Sequence, residues 1–402
     1  MPSSTAVSIS GGGTLDLNGV TQTIGSLAGV GGTFVTLGAG ALTTGGDNSN
    51  TEFAGVISGA GGVTKAGAGD FTVSGSNSYT GTTTVRKGNL VAGADAPSGA
   101  SGAFGSATSA IALGDGSTGG SDNLGLLIGG AYTVGRNVTV TNNGNVVTIG
   151  GTNTASTALY SGTVTLNKDV TLTAAGGGTV DFSGNIIGGF AVTKDGDGTV
   201  IFSTSKSYTG ATTLKAGMIF VNNLLTASNV TVQSGATLGG TGTINQSVTV
   251  DAGGILAPGA SIGQLNVSNG VTINGEFDPE IAWDPTVQSD LLNVTGGDLV
   301  LGASSVLNVL GDLAGTLPPN TNYTIASVSG SGTVKGTFSA EKNNGGALPL
   351  GWTVQYNADS IKLIPEPATI AFLGLGAVAM LLTRIFHQFF PVPYGATAFL
   401  LV

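Results

Sequence analysis

Residues 63–85 read VTKAGAGDFTVSGSNSYTGTTTV, and residues 192–214 read VTKDGDGTVIFSTSKSYTGATTL. Both belong to a longer ungapped match of residues 53–88 on residues 182–217, in which 18 of the 36 positions are identical. A unit that recurs along a chain, with similar short segments between its copies, is typical of a solenoid whose turns stack on one another. The repeat therefore favours a solenoid over a closed sandwich.

Short alternating runs continue this pattern outside the two copies. Val138-Thr139-Val140, Val230-Thr231-Val232 and Val248-Thr249-Val250 each place a polar residue between two apolar ones, with Gly, Asn or Asp nearby. A period of two bounded by turn residues predicts short β-strands. We therefore predict an all-β chain in which Val, Ile, Leu and Phe point inward, while Gly and Asn occupy corners that need a positive φ.

The composition excludes several classes of function. The 402 residues include no Cys, which rules out disulfides, thiol catalysis and Cys metal sites. The single His is His387, near the C-terminal end, so residues 1–386 hold neither a Ser-His-Asp triad nor a His metal site. The net charge is −10 without a basic cluster, which argues against nucleic acid as a partner. We expect no cofactor and no catalysis.

The two copies resemble the autotransporter-associated β-strand repeat. The stretches Ser234–Ile244, Gly253–Gly259 and Asp290–Val294 resemble later rungs of autotransporter passengers, so the likeness covers roughly residues 50–310. The resemblance implies a right-handed parallel β-helix at the cell surface. We expect a β-solenoid over residues 1–310, with copies near 53–88 and 182–217, and terminal β rungs or a cap over residues 311–364.

The C-terminal segment has a different character. Pro365-Glu366-Pro367 precedes an apolar run that reaches Leu382, and Arg384 follows. Pro367 favours a helix start, and an Arg after an apolar run is typical of the cytoplasmic side of a membrane. The arrangement resembles the PEP-CTERM sorting signal. It implies a short transmembrane helix within 365–384, a transient inner-membrane anchor and an exosortase-type processing enzyme as partner.

Both ends of the sequence carry further expectations. Residues 385–402 depart from the PEP-CTERM pattern, because an aberrant apolar tail follows Arg384 instead of further basic residues. The segment Met1–Ala6 has neither a basic nor an apolar region, so we expect the export signal of the natural protein to lie upstream.

Two acidic segments are candidate sites. Asp278, Glu280, Asp284 and Asp290 form the densest carboxylate group, which suits either a glycosidase, lyase or metal site, or an acidic loop held open by prolines. We favour the loop. Asp195-Gly196-Asp197-Gly198 suggests a Ca²⁺ loop, but the repeated units of calcium solenoids are absent, so a plain turn is the better interpretation.

Aromatic residues offer a further choice. Tyr79 and Tyr208, together with Trp283 and Trp352, are suited to stack on sugar rings. The two tyrosines recur at the same position of the repeat, so we predict that they pack inside the structure.

These observations predict an exported bacterial protein of the cell surface or extracellular matrix, structural or adhesin-like, with extracellular polysaccharide as a candidate ligand. The alternative is a β-helix protein that binds or cleaves polysaccharide. A lyase of that kind would need a basic side chain near two carboxylates on one face. The candidates for that role are Lys194, Lys206, Lys215 and Arg136.

Overall fold

Valine and threonine alternate along strands of mostly three to five residues, and the chain turns after each strand. The computed structural model describes residues 1–282, 288–313 and 322–365. In these ranges the strands wind into a β-solenoid whose rungs pair in parallel, and each regular rung contributes one strand to each of three faces. The all-β solenoid predicted from the repeat and the parallel pairing implied by the resemblance are confirmed, while its right-handed sense stays a prediction.

Face 1 is a continuous parallel sheet of fifteen strands. Its strands are Ala6–Ile9, Ser26–Gly29, Thr51–Phe53, Phe71–Val73, Gly88–Ala92, Leu124–Ile128, Val147–Gly151, Val170–Ala174, Val192–Asp195, Thr212–Leu214, Val230–Val232, Val248–Val250, Val271–Ile273, Leu299–Leu301 and Val334–Lys335.

Face 2 is divided into a three-stranded and an eleven-stranded sheet. The first contains Thr14–Asp16, Phe34–Thr36 and Val56–Ser58, and the second contains Thr133–Val134, Thr157–Tyr160, Thr179–Phe182, Thr199–Phe202, Gly217–Val221, Ala236–Gly240, Ile255–Pro258, Glu276–Phe277, Val306–Val309, Ala340–Asn343 and Gly346–Ala347.

Face 3 is divided into an eight-stranded and a seven-stranded sheet. The first contains Gln22–Thr23, Leu42–Thr44, Val63–Lys65, Thr83–Val85, Ile111–Leu113, Val138–Val140, Val164–Leu166 and Ile186–Gly188, and the second contains Leu224–Leu225, Thr243–Ile244, Gln264–Val267, Leu291–Val294, Tyr323–Val328, Trp352–Tyr356 and Ser360–Pro365. A small antiparallel hairpin joins Ile281–Ala282 to Gln288–Ser289.

The core consists of ladders in which inward-pointing residues at equivalent positions of successive rungs stack on one another. On face 1, Phe71, Leu90, Leu126, Ile149 and Leu172 are paired in register from rung to rung, and all five are buried. Neighbouring strands lie about 4.8 Å apart, so each side chain covers the one below it. Burial of each such side chain stabilises the fold by about 1.5–3 kcal/mol before entropy is counted.

The two repeat copies interrupt different faces. In the first copy, Val63–Lys65 lies on face 3, and residues 77–80 replace a strand on face 2, where Ser78 N donates to Ile57 O. In the second copy, Val192–Asp195 lies on face 1, and residues 206–208 replace a strand on face 3, where Ser207 N donates to Ile186 O. The copies therefore sit one face, or a third of a turn, apart.

The last described strands change direction. Tyr323–Val328 still pairs in parallel with Leu291–Val294, but Ser360–Pro365 pairs antiparallel with it and with Trp352–Tyr356. This antiparallel group covers the end of face 3. Within the described ranges no helix is long and apolar enough to span a bilayer. The predicted transmembrane helix lies beyond Pro365, outside the described residues.

Candidate functional site

A ladder of threonines runs along the outward side of face 1. Its members are paired in register on seven consecutive rungs and are half-buried: Thr148, Thr171, Thr193, Thr213, Thr231, Thr249 and Thr272. Each hydroxyl offers one donor and two acceptor positions. The ladder gives face 1 a row of hydroxyl groups repeated at the strand spacing of about 4.8 Å.

Beside this ladder lies a groove of about 330 Å³. Its residues come from three consecutive rungs, and they are Asn145, Val146, Val147, Lys168, Asp169, Val170, Thr171, Phe190 and Thr193. Phe190 is 39% exposed and Val146 is 43% exposed, which is unusual for large apolar side chains in this protein. Sequence reasoning missed this groove. The alignment of the two repeat copies could have pointed to it, because it pairs Phe190 with Gly61, a residue that has no side chain.

Each repeat copy buries the lysine of its Val-Thr-Lys segment. Lys65 Nζ donates to the backbone oxygens of Ala66, Gly67 and Lys87, at 2.5, 2.8 and 3.0 Å. Burial lowers the pKa of Lys65 to about 8, although Asp70 and Asp47 oppose the shift. The ammonium joins two rungs at a corner, so its role is structural.

Lys194 repeats this arrangement in the second copy. Its Nζ donates to the backbone oxygens of Asp195, Gly196 and Ala216, the residues at the same three offsets along the chain. Burial lowers its pKa to about 8, against the effect of Asp195 and Asp197. Gly217 closes the corner with φ +63°, and a Cβ there would lie 2.4 Å from Gly196 O. Glycine is required at this position.

The repeated tyrosines pack inside the solenoid, as predicted. Tyr79 and Tyr208 are buried, and their hydroxyls share hydrogen bonds with Thr83 Oγ1 at 2.9 Å and Thr212 Oγ1 at 2.6 Å. Trp352 packs against Tyr323 and donates from Nε1 to Leu313 O. Trp283 lies outside the described residues. The buried tyrosines therefore offer no stacking surface for a sugar.

The buried basic residues do not form a lyase site. Arg136 is buried and donates to Ser109 O, Phe104 O and Thr83 Oγ1. Lys206 is buried, donates to Thr204 O at 2.6 Å and lies 5.3 Å from the ring centre of Phe202. These two cations and Lys194 are engaged with oxygen atoms inside the solenoid, out of reach of a polymer. Lys215, by contrast, is exposed.

The acidic group contains structural carboxylates. Asp290 is buried, and its two oxygens accept from Gly263 N at 2.7 Å and Glu280 N at 2.8 Å, which fixes the hairpin beside the last rungs. Burial raises the pKa of Asp290 to about 7, and burial together with Glu276 raises that of Asp278 to about 7. Asp284 lies outside the described residues. Asp278, Glu280 and Asp290 also line a smaller groove of about 120 Å³.

The Asp195-Gly196-Asp197-Gly198 segment forms a turn, as predicted. Asp195 Oδ1 accepts from Gly196 N at 2.8 Å, and Gly196 has φ +85°. Across residues 1–282, 288–313 and 322–365, acidic side chains do not gather in a cluster that is suited to hold a metal ion.

The predicted sorting residues fall at the edge of the described chain. Pro365 is the last residue of the strand Ser360–Pro365 and is paired with Trp352. Glu366, Pro367 and Arg384 lie outside the described residues, as do the apolar run and the tail 385–402. The sorting motif stays a prediction.

Comparison with known proteins supports the repeats. Residues 63–92 and 192–219 match the family model of the passenger-associated-transport-repeat. The chain is also similar to the adhesin BmaC autotransporter of Brucella suis biovar 1 (strain 1330), with 32% identity over 173 residues, 36% of this chain. The match covers 4% of that adhesin, so the chain spans a small fraction of the length of its curated relative. The repeat predicted from residues 63–85 and 192–214 is confirmed.

Proposed function

We propose that the protein is an exported, adhesin-like component of the bacterial cell surface or extracellular matrix, without catalytic activity. The observation that carries the proposal is the parallel β-solenoid with two passenger-associated-transport-repeats. Similarity to an adhesin over 173 residues supports the same class. The burial of Arg136, Lys194 and Lys206 supports a structural protein over a polysaccharide lyase.

The mechanism is one of shape and multiple weak contacts. In a solenoid, equivalent outward positions recur on successive rungs along one axis. On face 1 this places a threonine hydroxyl on each of seven consecutive rungs. Individually weak contacts to a polymer add up when many are made at once. Extracellular polysaccharide is the ligand that we propose for this surface.

Export completes the proposal. The segment Pro365-Glu366-Pro367 with Arg384 would act as a PEP-CTERM sorting signal, with a transient inner-membrane anchor, an exosortase-type enzyme as processing partner and the cell surface or matrix as destination. Its support is the order of residues in the sequence: a Pro-Glu-Pro group, an apolar run and a basic residue.

The test uses a native host and its deletion strain. Surface biotinylation should label the protein on intact cells, and the deletion should reduce cell aggregation or attachment. Purified protein incubated with the host's extracellular polysaccharide should bind it without releasing new reducing ends. A protein found only in the cytoplasm would contradict the proposal, and release of sugar fragments would favour the polysaccharide-cleaving alternative.

A further inference from the structure

The groove beside the threonine ladder of face 1 contains Phe190, a side chain that the fold of the repeat does not require. Phe190 corresponds to Gly61 in the first copy, where a Cβ would lie 1.7 Å from Gly40 O. The same repeat therefore forms without any side chain at this position. Because Phe190 is also 39% exposed, burial in the core does not explain the ring. Val146 lies in the same groove and is 43% exposed, so Phe190 belongs to a patch of exposed apolar side chains, and such patches mark binding surfaces.

The groove follows the axis of the solenoid. Val146, Asp169 and Phe190 precede the strands Val147–Gly151, Val170–Ala174 and Val192–Asp195, which pair side by side in register. Two strand spacings separate the first rung from the third, about 10 Å. Thr171 and Thr193 of the threonine ladder also line the groove, so its length runs along the row of hydroxyls.

The polar side chains of the groove keep free hydrogen-bonding capacity. Lys168 Nζ donates once, to Gly144 O at 2.8 Å, and Asp169 Oδ1 accepts from Ala191 N at 2.9 Å. Asn145 Nδ2 donates to Asn123 Oδ1 at 3.2 Å. In the part of the chain that the structure describes, Asp169 Oδ2, Asn145 Oδ1 and two hydrogens of the Lys168 ammonium have no protein partner.

This set of groups defines the chemistry of a ligand. One cation beside one anion gives the groove no net charge, so it suits a neutral molecule that has both hydroxyl donors and oxygen acceptors. The face of an aromatic ring carries partial negative charge and attracts C–H groups. A pyranose ring offers C–H groups on its face and hydroxyls on its edge. We propose that this groove binds neutral pyranose units of a polysaccharide, with Phe190 stacking on the sugar.

This inference rests on the proposed adhesin function and specifies its ligand class. The test measures binding of the purified full chain to arrayed neutral gluco-, manno- and galacto-oligosaccharides, with hyaluronan and polygalacturonate as anionic probes. We expect binding to a neutral oligosaccharide that F190A weakens about five- to tenfold. F190Y should keep binding within about twofold of wild type. The matched control is F34A, because Phe34 is 42% exposed on face 2, away from the groove.

Three outcomes would overturn the inference: no wild-type binding to any neutral oligosaccharide, equal binding by F190A, or salt-sensitive binding to the anionic probes alone. Thermal unfolding of F190A should match wild type, which separates loss of contact from loss of fold. Surface labelling and the aggregation of the deletion strain test the adhesin function independently of the oligosaccharide binding measured here. A surface adhesin whose F190A variant binds normally would reject the groove and leave the adhesin function standing.

Discussion

At the scale of single residues, the repeat lysines are the least expected feature of the protein. Lys65 and Lys194 occupy inward positions of their ladders: Lys65 pairs with Thr44 and Val85, and Lys194 pairs with Leu172 and Leu214. A buried charge is costly unless polar atoms surround it. The three backbone oxygens around each ammonium meet that requirement, and they explain why Val-Thr-Lys occurs in both copies.

The first prediction concerns this lysine. K65M should destabilise the protein by roughly 2 kcal/mol, because buried carbonyl oxygens that lose a donor cost about 1–3 kcal/mol each, partly offset by removal of the charge. K87M is the matched control: Lys87 is partly exposed and pairs with Asp122 at 2.9 Å, so its loss should cost at most about 1 kcal/mol. Urea unfolding measures both, and equal midpoints would contradict the structural role.

The second prediction concerns pH. The raised pKa of Asp278, about 7, means that the folded protein holds a proton that an unfolded Asp releases near pH 4. Between pH 4 and pH 7 the folded state therefore binds more protons, and this contribution to stability is lost as the pH rises through 7. The raised pKa of Asp290, also about 7, changes the stability with pH in the same direction. Urea midpoints should fall from pH 4.5 to pH 7, and D278N should reduce that fall.

The control for the pH experiment is D298N. Hydrogen bonds from Lys335 and Thr333 lower the pKa of Asp298, so its contribution has the opposite sign and is lost as the pH falls. D298N should therefore leave the fall between pH 4.5 and pH 7 in place. If D278N shows the same fall as wild type, burial does not hold this proton on Asp278.

At the scale of strands and rungs, the three faces tolerate unequal rung lengths. Val230 pairs with Val248 on the next rung, 18 residues later, whereas Leu90 pairs with Leu126, 36 residues later. The extra residues of the longer rung lie in the connections 93–110 and 114–123, on either side of the strand Ile111–Leu113, and they leave the register of face 1 intact. Ladder pairing therefore matters more than a constant sequence period.

The third prediction uses this property. Deletion of residues 230–247 removes one whole rung and places Val248-Thr249-Val250 where Val230-Thr231-Val232 paired with Thr212–Leu214. Because each rung contacts its neighbours alone, the shortened protein should keep its β-sheet circular dichroism and unfold cooperatively, with a modest loss of stability. Deletion of residues 230–238 is the control, since it removes part of a rung and brings strands to the wrong faces. Cooperative unfolding of the control would contradict the rung as the structural unit.

At the scale of the whole molecule, the described residues form a solenoid that ends in an antiparallel group of strands at Pro365. The parallel edge of face 3 is covered there by Ser360–Pro365 and Trp352–Tyr356. Among the described residues, the outermost strand of face 3 at this end is therefore the antiparallel strand Trp352–Tyr356. The predicted sorting signal follows directly after this group.

The fourth prediction concerns processing at that boundary. In a native host, the intact mass of the mature protein should correspond to loss of the chain from about Pro365 onward, with the product outside the inner membrane. A variant that combines E366A with P367A should stay uncut in the inner-membrane fraction, while its solenoid remains unchanged. A wild-type protein that keeps residues 366–402 at the cell surface would contradict the sorting signal.

The sequence by itself determined the class of fold, strands such as Val138–Val140 and Val230–Val232, and the packing role of Tyr79 and Tyr208, because a period of two and a repeated unit are local properties of the chain. Tertiary structure alone decided three other features: the one-face offset between the copies, the burial of Lys65 and Lys194, and the groove at Phe190. The physical reason is that rung lengths vary, so the residue that lies above another depends on where each corner turns. Neighbours such as Val146, Asp169 and Phe190 are brought together by that stacking, and distance along the sequence does not reveal it.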